Sequence, residues 1–297
     1  MIILNEKEYA EECLRTNSYG ESIYITLQIL AKYYYYVHGF RAKRIEHALI
    51  DFLSNNYPGY SASKRQWADT VERLSRHAGK YDLYEDSEIW ITKTELDRIE
   101  SISVPAWKDI DLRRIAFTFL CLAKLNNRRN PKNNNWVNTA VNDVFAMAHV
   151  NANKIDKYKM LGALDHISIL CPAKKNENLS SQVLIVDSEG EGILPVSDFR
   201  DLGYEYSKYT GENYIRCANC GRLVRGNKAG TKKYCSECAG YRPIDFRAVI
   251  CTDCGIEFNV AASNKRSTRC PSCYALYRRE QKNKSDRKVK ENRTVLF

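Results

Sequence analysis

Eight of the eleven cysteines fall within residues 217–273 as four Cys-x-x-Cys pairs: Cys217 with Cys220, Cys235 with Cys238, Cys251 with Cys254, and Cys270 with Cys273. Fourteen residues separate the first two pairs, fifteen the last two, and twelve lie between Cys238 and Cys251. A Cys-x-x-Cys bend gathers two sulfurs on one tight turn. Two such bends complete the tetrahedron of thiolates that zinc binds at about 2.3 Å. Gly221 and Gly255, directly after two of the bends, allow the positive φ that such a turn often needs. A single pair can be a redox couple, but four pairs at regular spacing point to metal. The expectation is two zinc ions in two small four-cysteine zinc ribbons, with strands running between the bends. A four-cysteine iron–sulfur site stays open, because its ligands are alike. Joining consecutive bends closes the shortest loops, although crossed pairing is open on spacing alone. Cys13, Cys121 and Cys171 stand apart from both groups.

Cations and aromatics surround these cysteines. Arg222, Arg225, Lys228, Lys232 and Lys233 fall inside the first expected ribbon, and Lys265, Arg266 and Arg269 inside the second. Tyr234, Tyr241, Phe246, Tyr274 and Tyr277 lie among them. From Tyr274 to Arg293, opening with Arg278 and Arg279, eight Lys+Arg face three acids in a stretch able to form a helix. Residues 209–297 carry 19 Lys+Arg against 8 Asp+Glu, a balance of +11, while residues 1–100 carry 13 against 16, a balance of −3. Charge concentrated in this way suits a polyanion, since cations neutralise phosphates and aromatics stack on bases. The expected partner is nucleic acid, duplex DNA in the first instance, with RNA open. A merely solvated surface is the plainer alternative. The acidic N-terminal half is a possible protein-binding surface.

Catalytic signatures are sparse. Gly226-Asn-Lys-Ala-Gly230-Thr-Lys has one residue too few between its glycines for a phosphate-binding loop and follows no buried strand. The five histidines form no close metal-binding pair. Asp165-His166-Ile167 resembles the Asp-His of HNH nucleases, but no later histidine follows it, and a histidine ending a core helix accounts for it better. The expectation is a protein without catalytic activity.

The elements that position these residues are mainly helical. Apolar spacing predicts helices from Glu21 to Val37 (Tyr24, Leu27, Leu30 and Ala31 inward) and from Ala42 to Ser54. A third is capped by Ser61 or Ser63 and carries Trp67, Val71, Leu74 and Ala78. Tyr81 to Ile91 reads as a short hairpin. A similar order recurs further on. A helix apolar nearly all round runs from Ile110 to Leu125, and an Asn-rich loop leads to a helix from Asn138 to Val150. A third helix from about Asn153 to His166 follows, with Ile155, Tyr158, Leu161 and Leu164 inward. Ile167–Cys171 and Gln182–Asp187 form a hairpin around a basic turn. Residues 188–208 read as a linker. The division expected is 1–103 helical, with a possible first winged helix; 104–190 winged-helix-like; 209–242 and 243–275 as ribbons; and 276–297 as a basic tail.

Three helices and a hairpin, followed by cysteine bends, resemble the DNA-binding regulators and replication-associated proteins of phages and mobile elements. The resemblance implies that the third helix meets the major groove through Asn153, Lys154 and Lys157, while Lys174 and Lys175 on the hairpin rest on phosphates. Two other readings stand beside it: an adaptor or inhibitor acting on a host machine, and a metal-dependent nuclease. With no long apolar run and no basic leader, the expected location is cytoplasmic, away from membranes.

Overall fold

In the computed structural model, residues 2–20, 22–172, 180–240, 246–261, 264 and 267–294 are described. The chain is mainly helical with small sheets, and it divides into two compact units, Met1–Cys235 and Ser236–Phe297. Among the described residues no helix is long and apolar enough to cross a membrane.

The first unit opens with a helix absent from the sequence reading, α1 (Glu6–Thr16), whose start is capped by the Asn5 side chain. Helices α2 (Ile23–Tyr36), α3 (Ala42–Asn56) and α4 (Tyr60–Arg76) follow. They bury Leu27, Leu30, Ile45, Leu49, Leu53, Val71 and Leu74 against Ala10 and Cys13 of α1. Tyr24, expected inward, is exposed. Neither Ser61 nor Ser63 caps α4, which starts earlier, at Tyr60, and departs from helical geometry at Ser63.

No hairpin forms over residues 81–91. The alternation of Ile89 and Ile91 does mark a strand, β1 (Ile89–Thr92), and the capping box of Thr92 and Glu95 then opens α5 (Lys93–Glu100). Its pairing partner, however, is remote: Ile89 lies opposite Val196 and Ile91 opposite Leu194. This removes the basis for a first winged helix.

The second core forms around α6 (Asp109–Arg129), which buries Leu112, Ile115, Phe117, Phe119, Leu120, Leu122 and Leu125. After a 3-10 turn come β2 (Trp136–Val137), α7 (Val141–Met147), α8 (Lys154–His166), β3 (Leu170–Pro172) and β4 (Ser181–Val183). The three strands form one antiparallel sheet in the order β2-β4-β3. Helix α8 turns inward Met160, Leu161 and Leu164. Ile155 and Tyr158, both expected inside, are 66% and 42% exposed.

The stretch expected as a linker is structured. It holds β5 (Gly192–Val196), the partner of β1, and α9 (Leu202–Tyr209), and Val196, Phe199, Leu202 and Tyr206 complete the core around α6. Gly203 permits the close approach of α9 to the end of α7, since a Cβ there would fall 1.9 Å from the carbonyl oxygen of Ala148. Strands β6 (Tyr214–Arg216) and β7 (Leu223–Arg225) form a separate hairpin.

The second unit contains α10 (Ser236–Gly240), the hairpin of β8 (Phe246–Ile250) with β9 (Glu257–Ala261), and α11 (Pro271–Thr294).

Candidate metal centres and basic surfaces

The bend Cys217–Cys220 is the turn of the β6–β7 hairpin, and Cys251–Cys254 is the turn of the β8–β9 hairpin. Each is closed by a backbone hydrogen bond across the bend, Gly221 N to Cys217 O and Gly255 N to Cys251 O, both 2.9 Å. The two glycines have φ of +72° and +71°, the region that costs a side-chain-bearing residue most. The second bend of each group differs from the ribbon expectation. Cys235 and Cys238 lie at the start of α10, and Cys270 and Cys273 at the start of α11, so a helix start delivers them, and among the described residues one strand, β7 or β9, runs between the bends where strand, turn and strand were expected. Pro271, at the first helical position of α11, is the sequence signal for that start.

Sulfurs of Cys217, Cys220, Cys235 and Cys238 lie within 4.8 Å of one another, and so do those of Cys251, Cys254, Cys270 and Cys273. Pairing is therefore between consecutive bends. A tetrahedral ion with metal–sulfur bonds of about 2.3 Å requires neighbouring sulfurs about 3.8 Å apart. Cys220 and Cys235 sulfurs are 3.8 Å apart, as are those of Cys254 and Cys270. The residues present fit a four-thiolate metal ion.

Electrostatics favour thiolates at the first cysteine of each group. Burial pushes the Cys217 thiol up, but backbone N–H groups of Cys220, Cys235 and Asn219 outweigh it and bring the pKa to about 6. At Cys251 the N–H of Cys270, 3.3 Å from the sulfur, is the largest influence, and this thiol too falls to about 6. Without metal, donation of the Cys273 S–H to the sulfurs of Cys270 and Cys254 holds that thiol protonated and pushes its pKa strongly the other way. A bound ion would supply the charge that lets all four sulfurs stay deprotonated.

Residues outside the cysteines fix the first bend of the first group to the helical core. Buried Asp201 accepts from His149 Nε2 at 2.7 Å and from Arg222 at 3.0 and 3.2 Å, and the Tyr204 ring stacks on His149 at 3.6 Å. Burial raises the Asp201 carboxyl, yet the bonds from His149 and Arg222 prevail and hold it at about 2. Arg200, clamped on Asp198, donates to the carbonyl of Cys220 at 3.0 Å. Arg114 bonds Ser207 and Tyr214, and Arg216 pairs with Glu205. This anchor was hidden in the stretch read as a linker. The apolar spacing of Phe199, Leu202 and Tyr206 was the available signal for it.

The expected nucleic-acid contacts divide. Arg225, Lys228, Lys233, Arg278 and Arg279 are exposed cations. Arg222 is engaged by Asp201, Lys232 donates to the Arg225 carbonyl, and Arg269 pairs with Asp253 while lying 4.3 Å over the Tyr277 ring. Lys154 is exposed. Asn153 caps α8, accepting from Asp156 N at 2.9 Å, and Lys157 is half-buried, with Nζ on Asn142 at 2.9 Å. Lys174, Lys175, Lys265 and Arg266 lie outside the described residues. Asp165 and His166 are exposed on the last turn of α8, and neither belongs to a sulfur cluster.

No family model matches the chain, and comparisons with curated proteins and with solved structures likewise return no match.

Proposed function

We propose that this chain is a zinc-containing, non-catalytic nucleic-acid-binding protein, a regulator or replication-associated factor of the kind found in phages and mobile elements. The observation that carries the reading is the concentration of charge, 19 Lys+Arg against 8 Asp+Glu, over residues 209–297. Exposed Arg278, Arg279, Lys282 and Lys284 line α11 beside exposed Tyr274 and Tyr277, which pairs phosphate neutralisation with faces for stacking. The second cysteine group, holding zinc, fixes the start of α11, and the first, holding zinc, frames the segment that carries exposed Arg225, Lys228 and Lys233.

The order α6-β2-α7-α8-β3-β4, with the sheet order β2-β4-β3, supports a winged-helix reading of residues 109–183. In that reading α8 enters the major groove of duplex DNA through its exposed face, which is Lys154, Ile155, Tyr158 and Lys159. Lysine suits guanine, and the apolar pair suits a thymine methyl. Gly162, with open space around its missing Cβ, lets that face approach a backbone closely.

Anisotropy titration of a random-sequence duplex across salt concentrations tests the proposal. With six to eight phosphates neutralised, the log–log slope is about −5 to −7. A slope near zero would move the charge to a protein partner and favour the adaptor reading.

A further inference from the structure

The cavity bounded by α2, α4 and the turn that follows α4 stands apart from the cysteine groups and from α8. It encloses about 310 Å³, at the lower end of the range of roughly 300–1,000 Å³ typical of small-ligand pockets. Its floor combines apolar Leu74 and Ala78 with the buried ammonium of Lys32. That ammonium donates to Glu6 Oε2 and to the Asp82 carbonyl at 3.1 Å. Its Nζ also lies over the Tyr84 ring, 5.1 Å from the centre.

The mouth is cationic and aromatic. Arg73 and Lys80 are exposed, and neither enters an ion pair among the described residues. Arg73 Nη2 donates to the Tyr24 hydroxyl at 3.4 Å, which keeps the guanidinium at the opening. His77 Nδ1 donates to the Arg73 carbonyl at 2.8 Å, so Nε2 is the nitrogen left to meet a ligand. Tyr24 and Tyr81 stand 40% and 55% exposed at the rim, and the Gln28 amide adds one donor and one acceptor. The nearby acids are committed elsewhere: Glu6 lies under Lys32, and Asp82 accepts from the Tyr36 hydroxyl at 3.4 Å. No carboxylate lines the cavity among the described residues.

An inorganic anion alone has no use for two tyrosine faces, an amide and an apolar floor. A purely apolar ligand has no use for two unpaired cations. We propose that this cavity binds a nucleoside monophosphate, its phosphate on Arg73 and Lys80 and its base against Tyr24 or Tyr81 with Gln28 on the base edge. The region that contains it is net acidic, so the cluster is a local feature and not part of the basic surface of residues 209–297. The inference does not rest on the nucleic-acid reading above.

Calorimetric titration of the full chain with AMP, GMP, CMP and UMP tests it, with adenosine and inorganic phosphate as the two halves. The expected result is saturable binding of at least one monophosphate, with either half about tenfold weaker or worse. Arg73→Gln and Tyr81→Ala should each weaken that binding by about tenfold. Both positions are on the surface, and circular dichroism confirms folding. Arg278→Gln combined with Arg279→Gln should leave it unchanged, which separates this cavity from the duplex-binding surface. A 5′-phosphorylated trinucleotide, compared with the free nucleotide, tells a strand end from a diffusible ligand, and binding of either supports the pocket. Absence of binding for every probe would overturn the proposal, and so would binding indifferent to both Arg73→Gln and Tyr81→Ala.

Discussion

Asp201 has a side chain 3% exposed and carries three hydrogen bonds from His149 and Arg222. A carboxylate so buried is tolerated because both neighbours donate to its charged form, which is why it titrates near 2. The sign of its contribution follows. The folded pKa lies below the unfolded value of about 3.9, so the stabilisation is present above about pH 4 and is lost as pH falls towards 2. Its size is about 2–3 kcal/mol. Asp201→Asn, which removes the buried negative charge that Arg222 and His149 both donate to, should cost about 3 kcal/mol in denaturant unfolding and flatten the acid limb between pH 4 and 2. An unchanged acid limb would show that the anchor contributes nothing. Tyr206 is the opposite case. Its hydroxyl is buried without a partner among the described residues, and burial pushes its pKa to about 12. An unsatisfied buried hydroxyl costs about 1–3 kcal/mol, so Tyr206→Phe should raise the melting temperature. A fall would mean that the hydroxyl has a water partner inside the core.

Helices α2, α3, α6, α7 and α8 and the cysteine bends were legible because their signals are local, whereas α1 and α9 were missed. The inward Leu27, Leu30 and Ala31 and the glycines after the bends all act within a few residues, and each is found in place. The β1–β5 pairing was not legible: Ile89 meets Val196 across more than a hundred residues, and no periodicity names a remote partner. On α8 the apolar positions outnumbered the face available. Met160, Leu161 and Leu164 fill the core, which leaves Ile155 and Tyr158 overhanging on the first turns. That rotation changes what a substitution reports. Asn153→Ala removes a cap and should lower stability by about 1 kcal/mol, with no selective effect on a preferred DNA site. Lys159→Ala should leave stability within about 0.5 kcal/mol and weaken binding to a preferred duplex by about 1–3 kcal/mol, with little change on random DNA. The groove-binding reading of α8 fails if Lys159→Ala and Lys154→Ala are both silent on every duplex tested.

Across the whole chain, the two cysteine groups depend on metal to different degrees. In the unit Ser236–Phe297 the buried side chains among the described residues are those of Cys251, Val260 and Cys270. A lone two-stranded hairpin with one buried valine is marginal in water, so a metal ion bound by the four thiolates would supply most of its folding free energy. The first bend of the first group is held independently of any ion by the bonds of Asp201, Arg200 and Arg216, and Leu223 and Tyr214 beside it are buried. The helical core around α6 includes no metal-ligating cysteine. Purified protein should therefore contain two zinc ions, and Cys217→Ser and Cys254→Ser should each remove one. Chelation should abolish hydrogen-exchange protection over β8 and β9, weaken it over β6 and β7, and leave α6 and α9 protected. The thermal transition of the helical core should persist. Elemental analysis without zinc, or a visible absorption of the iron–sulfur type, would reject the metal assignment. Loss of α6 protection together with β8 and β9 would reject the separation itself, because the helical core would then depend on the ion as closely as the hairpin does.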